Sequence, residues 1–352
     1  MRRRTWAGLL ALVLVVGLSV VALSKPVPYA TFSPGPTVNV LGKNGGKQII
    51  SVSGHQSYRD KGGLRLTTII ASGAGQTINL VELVTAWLDP DRAVYPYNAV
   101  HAPTDTEKSV RQQSAVEMVS SQDNAVAAAL GVLDIPYQSA VKVADVTKGG
   151  PADGKLEAGD LILEVNGKKV STLDQLTGQI RPLPVGSRVT VKVRRDGREL
   201  SEKMKTTTSP QDKKSSALLV SIAPSYEFPF DVGLNLGENI GGPSGGLMFA
   251  TGIYDILTPG SLTDGKVIAG TGEIDAQGKV GEIGGIQQKL VGAQSDGAKL
   301  FLVPAGNCAE ALGGHYDPDK MRLVKVSTLE EAIADVQAWV KDPDAKLTRC
   351  TK

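Results

Sequence analysis

The pattern of apolar and polar positions changes character several times along this chain. It opens with an almost unbroken apolar run from Trp6 to Leu23, behind Arg2-Arg3-Arg4. A helix of that length spans roughly 27 Å at 1.5 Å per residue, close to a bilayer core. Thr37 to Leu41, Lys47 to Val52 and Gly63 to Ile70 then alternate between Gly-rich turns, which predicts three short strands. From Asn79 the period lengthens. Leu80, Leu83, Val84, Trp87 and Leu88 recur at helical spacing, and Asp89-Pro90 ends that helix. A second helix is predicted from about Thr106 to Leu130, with Val116, Met118 and Val119 read as core. Further on, Leu173 to Ile180 reads as a short amphipathic helix and Ser187 to Arg194 as a strand. Glu330 to Val336 reads as an amphipathic helix packed on a sheet.

One apolar run follows a chemically suggestive turn. Gly241-Gly242-Pro243-Ser244-Gly245-Gly246 leads directly into Leu247-Met248-Phe249-Ala250, a loop entering a buried helix. Glycines beside a serine let backbone N–H groups approach a bound carbonyl, and a helix N-terminus suits a developing oxyanion. A serine hydroxyl needs a base to take its proton. The three histidines, His55, His101 and His315, are all remote in sequence. Lys289 follows Gly284-Gly285 and borders Leu290, Val291 and Ala293, so desolvation could lower its pKa towards neutrality. Residue types alone leave an ordinary turn and a solvated lysine as the competing reading.

Composition narrows the classes. With Lys+Arg 38 against Asp+Glu 36 in 352 residues, no basic stripe argues for nucleic acid. Forty glycines and 5% aromatics suggest loop-rich α/β or β domains rather than a helical bundle. The length of the N-terminal run favours an uncleaved anchor, with cleavage near Val21-Ala22-Leu23-Ser24 left open. Arginines before the run and a lone Lys25 after it place the N-terminus in the cytoplasm and the rest outside. Cys308 and Cys350 would then meet an oxidising compartment, as one disulfide or as two unrelated thiols. Neither has metal-ligand spacing, and no metal or cofactor is expected. Lys25 to Pro36, rich in proline, reads as a stalk, and Lys341 to Lys352 as a polar, loose tail unless Cys350 holds it.

Three blocks together resemble the Lon-type serine proteases. Gly242-Pro243-Ser244-Gly245-Gly246 is similar to their nucleophile loop, Thr271-Gly272-Glu273-Ile274 to the next strand, and Gly284 to Lys289 to their lysine loop. Phe301-Leu302-Val303-Pro304 is similar to the strand that follows, and the likeness covers roughly Ala217 to Gln337. It implies Ser244 as nucleophile, Lys289 as general base and Thr271 as a residue orienting the lysine. Gly242, Pro243 and Gly245 would hold the substrate carbonyl. Bacterial Lon often has an acid three positions before the serine; here that position is Gly241.

A second stretch resembles a PDZ domain: Gly149-Gly150-Pro151-Ala152, then Leu156 through Gly159-Asp160 to Asn166-Gly167. Such domains add an extended peptide to a sheet edge and hold its carboxylate on backbone N–H groups. The capturing loop is expected at Leu130-Gly131-Val132, with a mere spacer as the alternative.

The expected architecture is α+β: a transmembrane signal-anchor (1–25), a stalk plus N-terminal part of a Lon-like domain (26–130), a PDZ domain (131–208) and a Lon-type proteolytic domain (209–352). The part after 209 is short for such a domain. The strands from Val38 to Ile70 are therefore expected in the same sheet, with the PDZ inserted. Gly260 to Lys266 comes near a Walker A motif, but Val267 stands where Ser or Thr should hold magnesium. The expectation is an ATP-independent serine endopeptidase at the outer face of the cytoplasmic membrane, acting on flexible or unfolded proteins selected by the PDZ. The resemblance also implies a homo-oligomer, commonly a hexameric ring. The alternative is a non-catalytic, membrane-anchored PDZ adaptor; an acyl transferase has no sequence feature in its favour.

Overall fold

The computed structural model describes residues 2–59, 61–237 and 240–351. The side chains of Arg2, Arg3 and Arg4, on which the charge flank was read, and Lys352 at the tail lie outside the described residues. Helix α1 (Arg2–Ser24) carries no proline. Its stretch Thr5–Ser24 has mean hydropathy 2.6 and is nowhere buried, so it is long and apolar enough to cross a membrane.

Past α1, strand β1 (Pro26–Val27) gives way to β2 (Tyr29–Asn39), then β3 (Gly63–Ala71) and β4 (Ile78–Asn79). The expected stalk is therefore not a stalk. Most of it is β2, paired on both sides, with a register shift between Pro34 and Thr37 that accommodates residues lacking an N–H. Helix α2 (Leu80–Leu88) starts at Asn79, whose side chain accepts from the Glu82 N–H. After β5 (Ala93–Pro96) comes α3 (Glu107–Val132), capped by Thr106.

Contacts divide the chain into two compact units, one of residues up to Leu133 together with Val232 onward, the other Asp134–Asp231. Residues 209–231, expected to open the proteolytic domain, therefore belong to the second unit, where Val220–Glu227 pairs with Gln138–Val146. This second unit is an antiparallel sheet of β6 (Gln138–Val146), β7 (Leu161–Val165), β8 (Arg188–Arg195), β9 (Arg198–Lys205) and β10 (Val220–Glu227), in the order β9-β8-β7-β6-β10. Helix α4 (Leu173–Ile180) covers it. Period-two positions such as Val189, Val191 and Val193 meet Leu176 and Ile180 in its core.

The first unit resumes with the 3-10 turn Pro243–Gly245 and α5 (Gly246–Leu257). It continues through β11 (Val267–Gly270), α6 (Ile286–Ser295), β12 (Leu300–Pro304), β13 (Arg322–Val326) and α7 (Leu329–Lys341). Its sheet runs β13-β12-β11-β3-β2-β5, so strands from both ends of the chain share it, as expected for Thr37 to Leu41 and Gly63 to Ile70. The middle expected strand, Lys47 to Val52, does not join it, and Ile50–Ser53 lies in a separate two-stranded sheet. The β13-β12-β11-β3 portion of the larger sheet is parallel and buried on both faces. Leu247, Met248, Phe249 and Ile253 of α5 are fully buried, each stabilising the fold by about 1.5–3 kcal/mol. Ala269, Phe301 and Val303 point the other way, onto Ile286, Leu290 and Ala293 of α6. The sheet thus separates α5 from α6.

The near-miss to a phosphate loop has a structural role: the Lys266 amine donates to the Val340 carbonyl at 2.6 Å and sits over the Trp339 ring. The tail is docked rather than loose. Arg322 donates to the carbonyls of Pro343 and Ala345, Lys325 N–H to Thr348, and Cys350 is bridged to Cys308. A thiol assay on denatured, unreduced protein should find no free thiol. Because the bridge closes a separation of 42 residues, Cys350→Ser should lower unfolding free energy by about 2–4 kcal/mol in denaturant titration.

Candidate active site

The serine turn is held from three directions. Gly242 has φ of 90°, a conformation that side-chain-bearing residues rarely adopt, and it bends the chain into Pro243. Gly246 leaves no room for a side chain, since a Cβ there would lie 2.8 Å from Ile274 and 2.9 Å from the Ser121 hydroxyl. The Ser121 Oγ, from α3, donates to the Pro243 carbonyl at 3.0 Å, and Gly242 N–H donates to the Ser114 carbonyl at 3.3 Å. Ser244 therefore stands at the entry to α5, where the first amides of a helix have no intrahelical acceptor.

Lys289 approaches from the opposite layer. It lies on the same stripe of α6 as Ile286, Leu290 and Ala293, which are fully buried, and is itself 3% exposed. Its Nζ donates to Thr271 Oγ1 at 3.1 Å. The Thr271 hydroxyl in turn donates to the Ser244 carbonyl at 3.0 Å, and the Gly272 N–H donates to that same carbonyl at 2.8 Å. Thr271 is fully buried just beyond the end of β11. The three expected site residues converge there, and Ser244 and Lys289 line one cavity of about 890 Å³.

Burial sets the electrostatics. Desolvation lowers the Lys289 pKa from 10.5 to about 8, opposed by the negative charge of Glu273. Glu273 also lines the cavity. Its own pKa is raised, first by burial and then by Glu117, with Lys289 pulling it back. Among the described residues no histidine lines this cavity.

Several features escaped the sequence. Ser114 and Ser121 brace the serine turn, and Met118 lines the cavity, whereas its neighbours Val116 and Val119 face outward at 71% and 58% exposure. Serines on a polar helix carry no signal of such a role. Leu130, Gly131 and Val132 need correction. They form the last turn of α3, not a capturing loop, because the buried run Ala125 to Leu130 carries the helix past the expected boundary. In the second unit, a cleft of about 460 Å³ lies instead between α4 and residues 216–222.

Comparison with known proteins finds two domain families, with bounds that differ from those of the compact units. The family model of the PDZ domain matches residues 116–206, and that of the Lon protease (S16) C-terminal proteolytic domain matches residues 239–337. Lon protease of Neorickettsia sennetsu is 36% identical over 93 residues, covering 26% of this chain and 11% of its own. Lon protease of Campylobacter concisus is 31% identical over 179 residues, covering 45% and 20%. The chain thus spans a fifth or less of the length of these relatives. Among solved structures, the PDZ domain of the SdrC-like protein from Listeria monocytogenes is 23% identical, covering 24% of this chain and 86% of that one at TM-score 0.23. The chain carries a PDZ domain and a Lon-type C-terminal proteolytic domain, and these matches support a peptidase.

The buried lysine has a stability signature. The folded pKa near 8 lies below the unfolded value of 10.5, so below pH 8 the fold carries a charged, desolvated amine at a cost of about 3 kcal/mol. Between pH 8 and 10.5 the unfolded chain holds the extra proton, and stability rises with pH. Lys289→Met should therefore raise the melting temperature at pH 7, with the gain fading as pH approaches 10.5. Calorimetry across that range checks the sign.

Proposed function

We propose that this chain is an ATP-independent serine endopeptidase with a Ser244–Lys289 dyad, anchored by α1 with its N-terminus in the cytoplasm and its catalytic unit outside. The observation that carries the reading is the buried Lys289 amine, held on the Thr271 hydroxyl that also bonds the Ser244 carbonyl. A neutral amine that donates to Thr271 keeps its lone pair free to accept the Ser244 proton. The Ser244 oxygen attacks the peptide carbonyl, and the amides of Ser244 and Gly245 at the helix entry stabilise the oxyanion. Lys289 returns the proton to the leaving amine, and water then hydrolyses the acyl-enzyme.

The sheet offers a rail for an extended substrate. β11 pairs with β3 only from Gly63 to Leu66, while Thr68, Ile69 and Ile70 continue along the cavity wall. A peptide that pairs with that open edge runs past the dyad, and folded proteins lack such free segments. A substrate's extended end would dock in the cleft between α4 and residues 216–222, in place of the expected site at Leu130-Gly131-Val132.

The test is residues 1–352 in detergent with casein and no ATP. Ser244→Ala and Lys289→Ala should each cut turnover at least ~1000-fold, and Thr271→Val about 10–100-fold, with melting curves still cooperative. Cleavage that survives Ser244→Ala would sink the dyad, and a wild-type protein that binds peptides but cleaves none would favour the adaptor. The rate should rise with pH through the Lys289 pKa near 8. Glu273→Gln removes a charge that holds this pKa up, so the rising limb should move to lower pH.

A further inference from the structure

The apolar face of α2 is turned outward. Leu80, Val81, Val84, Trp87 and Leu88 are 44%, 43%, 44%, 75% and 70% exposed, while Ala86 on the opposite side is fully buried. Their spacing places them on one continuous helix face, and none is charged. An exposed apolar stripe that includes a tryptophan marks an interaction surface.

Its position says what it meets. Pro26, two residues beyond the end of α1, pairs with Asn79, the residue that caps α2. The strand pair β1–β4 thus fixes the start of α2 at the level where the apolar helix ends, and α1 and α2 are in contact. A short apolar helix that starts at that level, with Trp87 near its far end and aliphatic residues between, suits the boundary between headgroups and acyl chains.

We infer that α2 is a second membrane contact, lying in the outer interface of the same bilayer that α1 crosses. The inference rests on the reading of α1 as the anchor. It seats the catalytic unit at a set height against the lipid, instead of leaving it to swing on a tether. With no charge on the face, the contact is apolar and insensitive to salt.

Tryptophan quenching by brominated phosphatidylcholine tests it on the full chain in vesicles. Trp339 is 6% exposed, so Trp6→Phe leaves Trp87 as the lipid-accessible reporter, and Trp87→Phe leaves Trp6. In the Trp6→Phe protein, bromines near the headgroups should remove most of the Trp87 emission and bromines at the bilayer centre much less. High salt should leave both results unchanged. Trp87 is exposed, so its replacement does not threaten folding. If Trp6 is quenched and Trp87 is not, the anchor stands and the inference falls. If neither is quenched, the anchor reading has failed and takes the inference with it. A Trp87 emission that is blue-shifted with protein concentration yet unquenched assigns the face to a second copy of this chain, which also overturns the inference.

Discussion

Everything around the cavity depends on one amine being kept out of water. An ammonium group gains strongly from hydration, and a fold that buries one must supply a partner or let it lose its proton. Here the supply is minimal: one threonine hydroxyl at 3.1 Å, with the carboxylate of Glu273 acting through space. That balance brings the pKa to about 8, between a surface lysine and a fully neutralised one. A stronger partner would leave the amine charged.

The same constraint explains the architecture. Lys289 rides on a helix on one side of the sheet and Ser244 on the entry to a helix on the other. Both reach one cavity past the end of β11, and Thr271 stands at that point between them. The carbonyl of Ser244 receives both the Thr271 hydroxyl and the Gly272 N–H, so the serine turn is indexed to the strand end by two bonds. Helix α3 adds the third support through Ser114 and Ser121. The site is therefore braced by a segment more than a hundred residues earlier in the chain, and the compact second unit interrupts the chain between brace and turn.

Local patterning carried a large part of this into view. The period-two runs, the helix starting after Asn79, the apolar entry after Ser244 and the buried Phe301 to Pro304 strand depend on neighbours a few residues apart. The resemblance of three short blocks marked Ser244, Thr271 and Lys289 for one site. Proline content misled at 25–36, because a register shift lets prolines sit in a strand that composition alone assigns to a stalk. At Leu130-Gly131-Val132 the helix ran on through a glycine because buried alanines on its preceding turns held it.

By itself the sequence determined the helices and strands whose periodicity is local, the apolar span from Trp6 to Leu23, and which residue types could perform acyl transfer. Only the tertiary structure decided that the Lys289 amine is dry, that Thr271 links it to Ser244, that Cys350 reaches Cys308, and that the apolar face of α2 looks outward. The reason is range. Periodicity is written between adjacent turns of one element, whereas burial is a property of whatever packs against a residue from elsewhere in the chain. A stripe of leucines therefore reads the same whether it meets a core or a lipid.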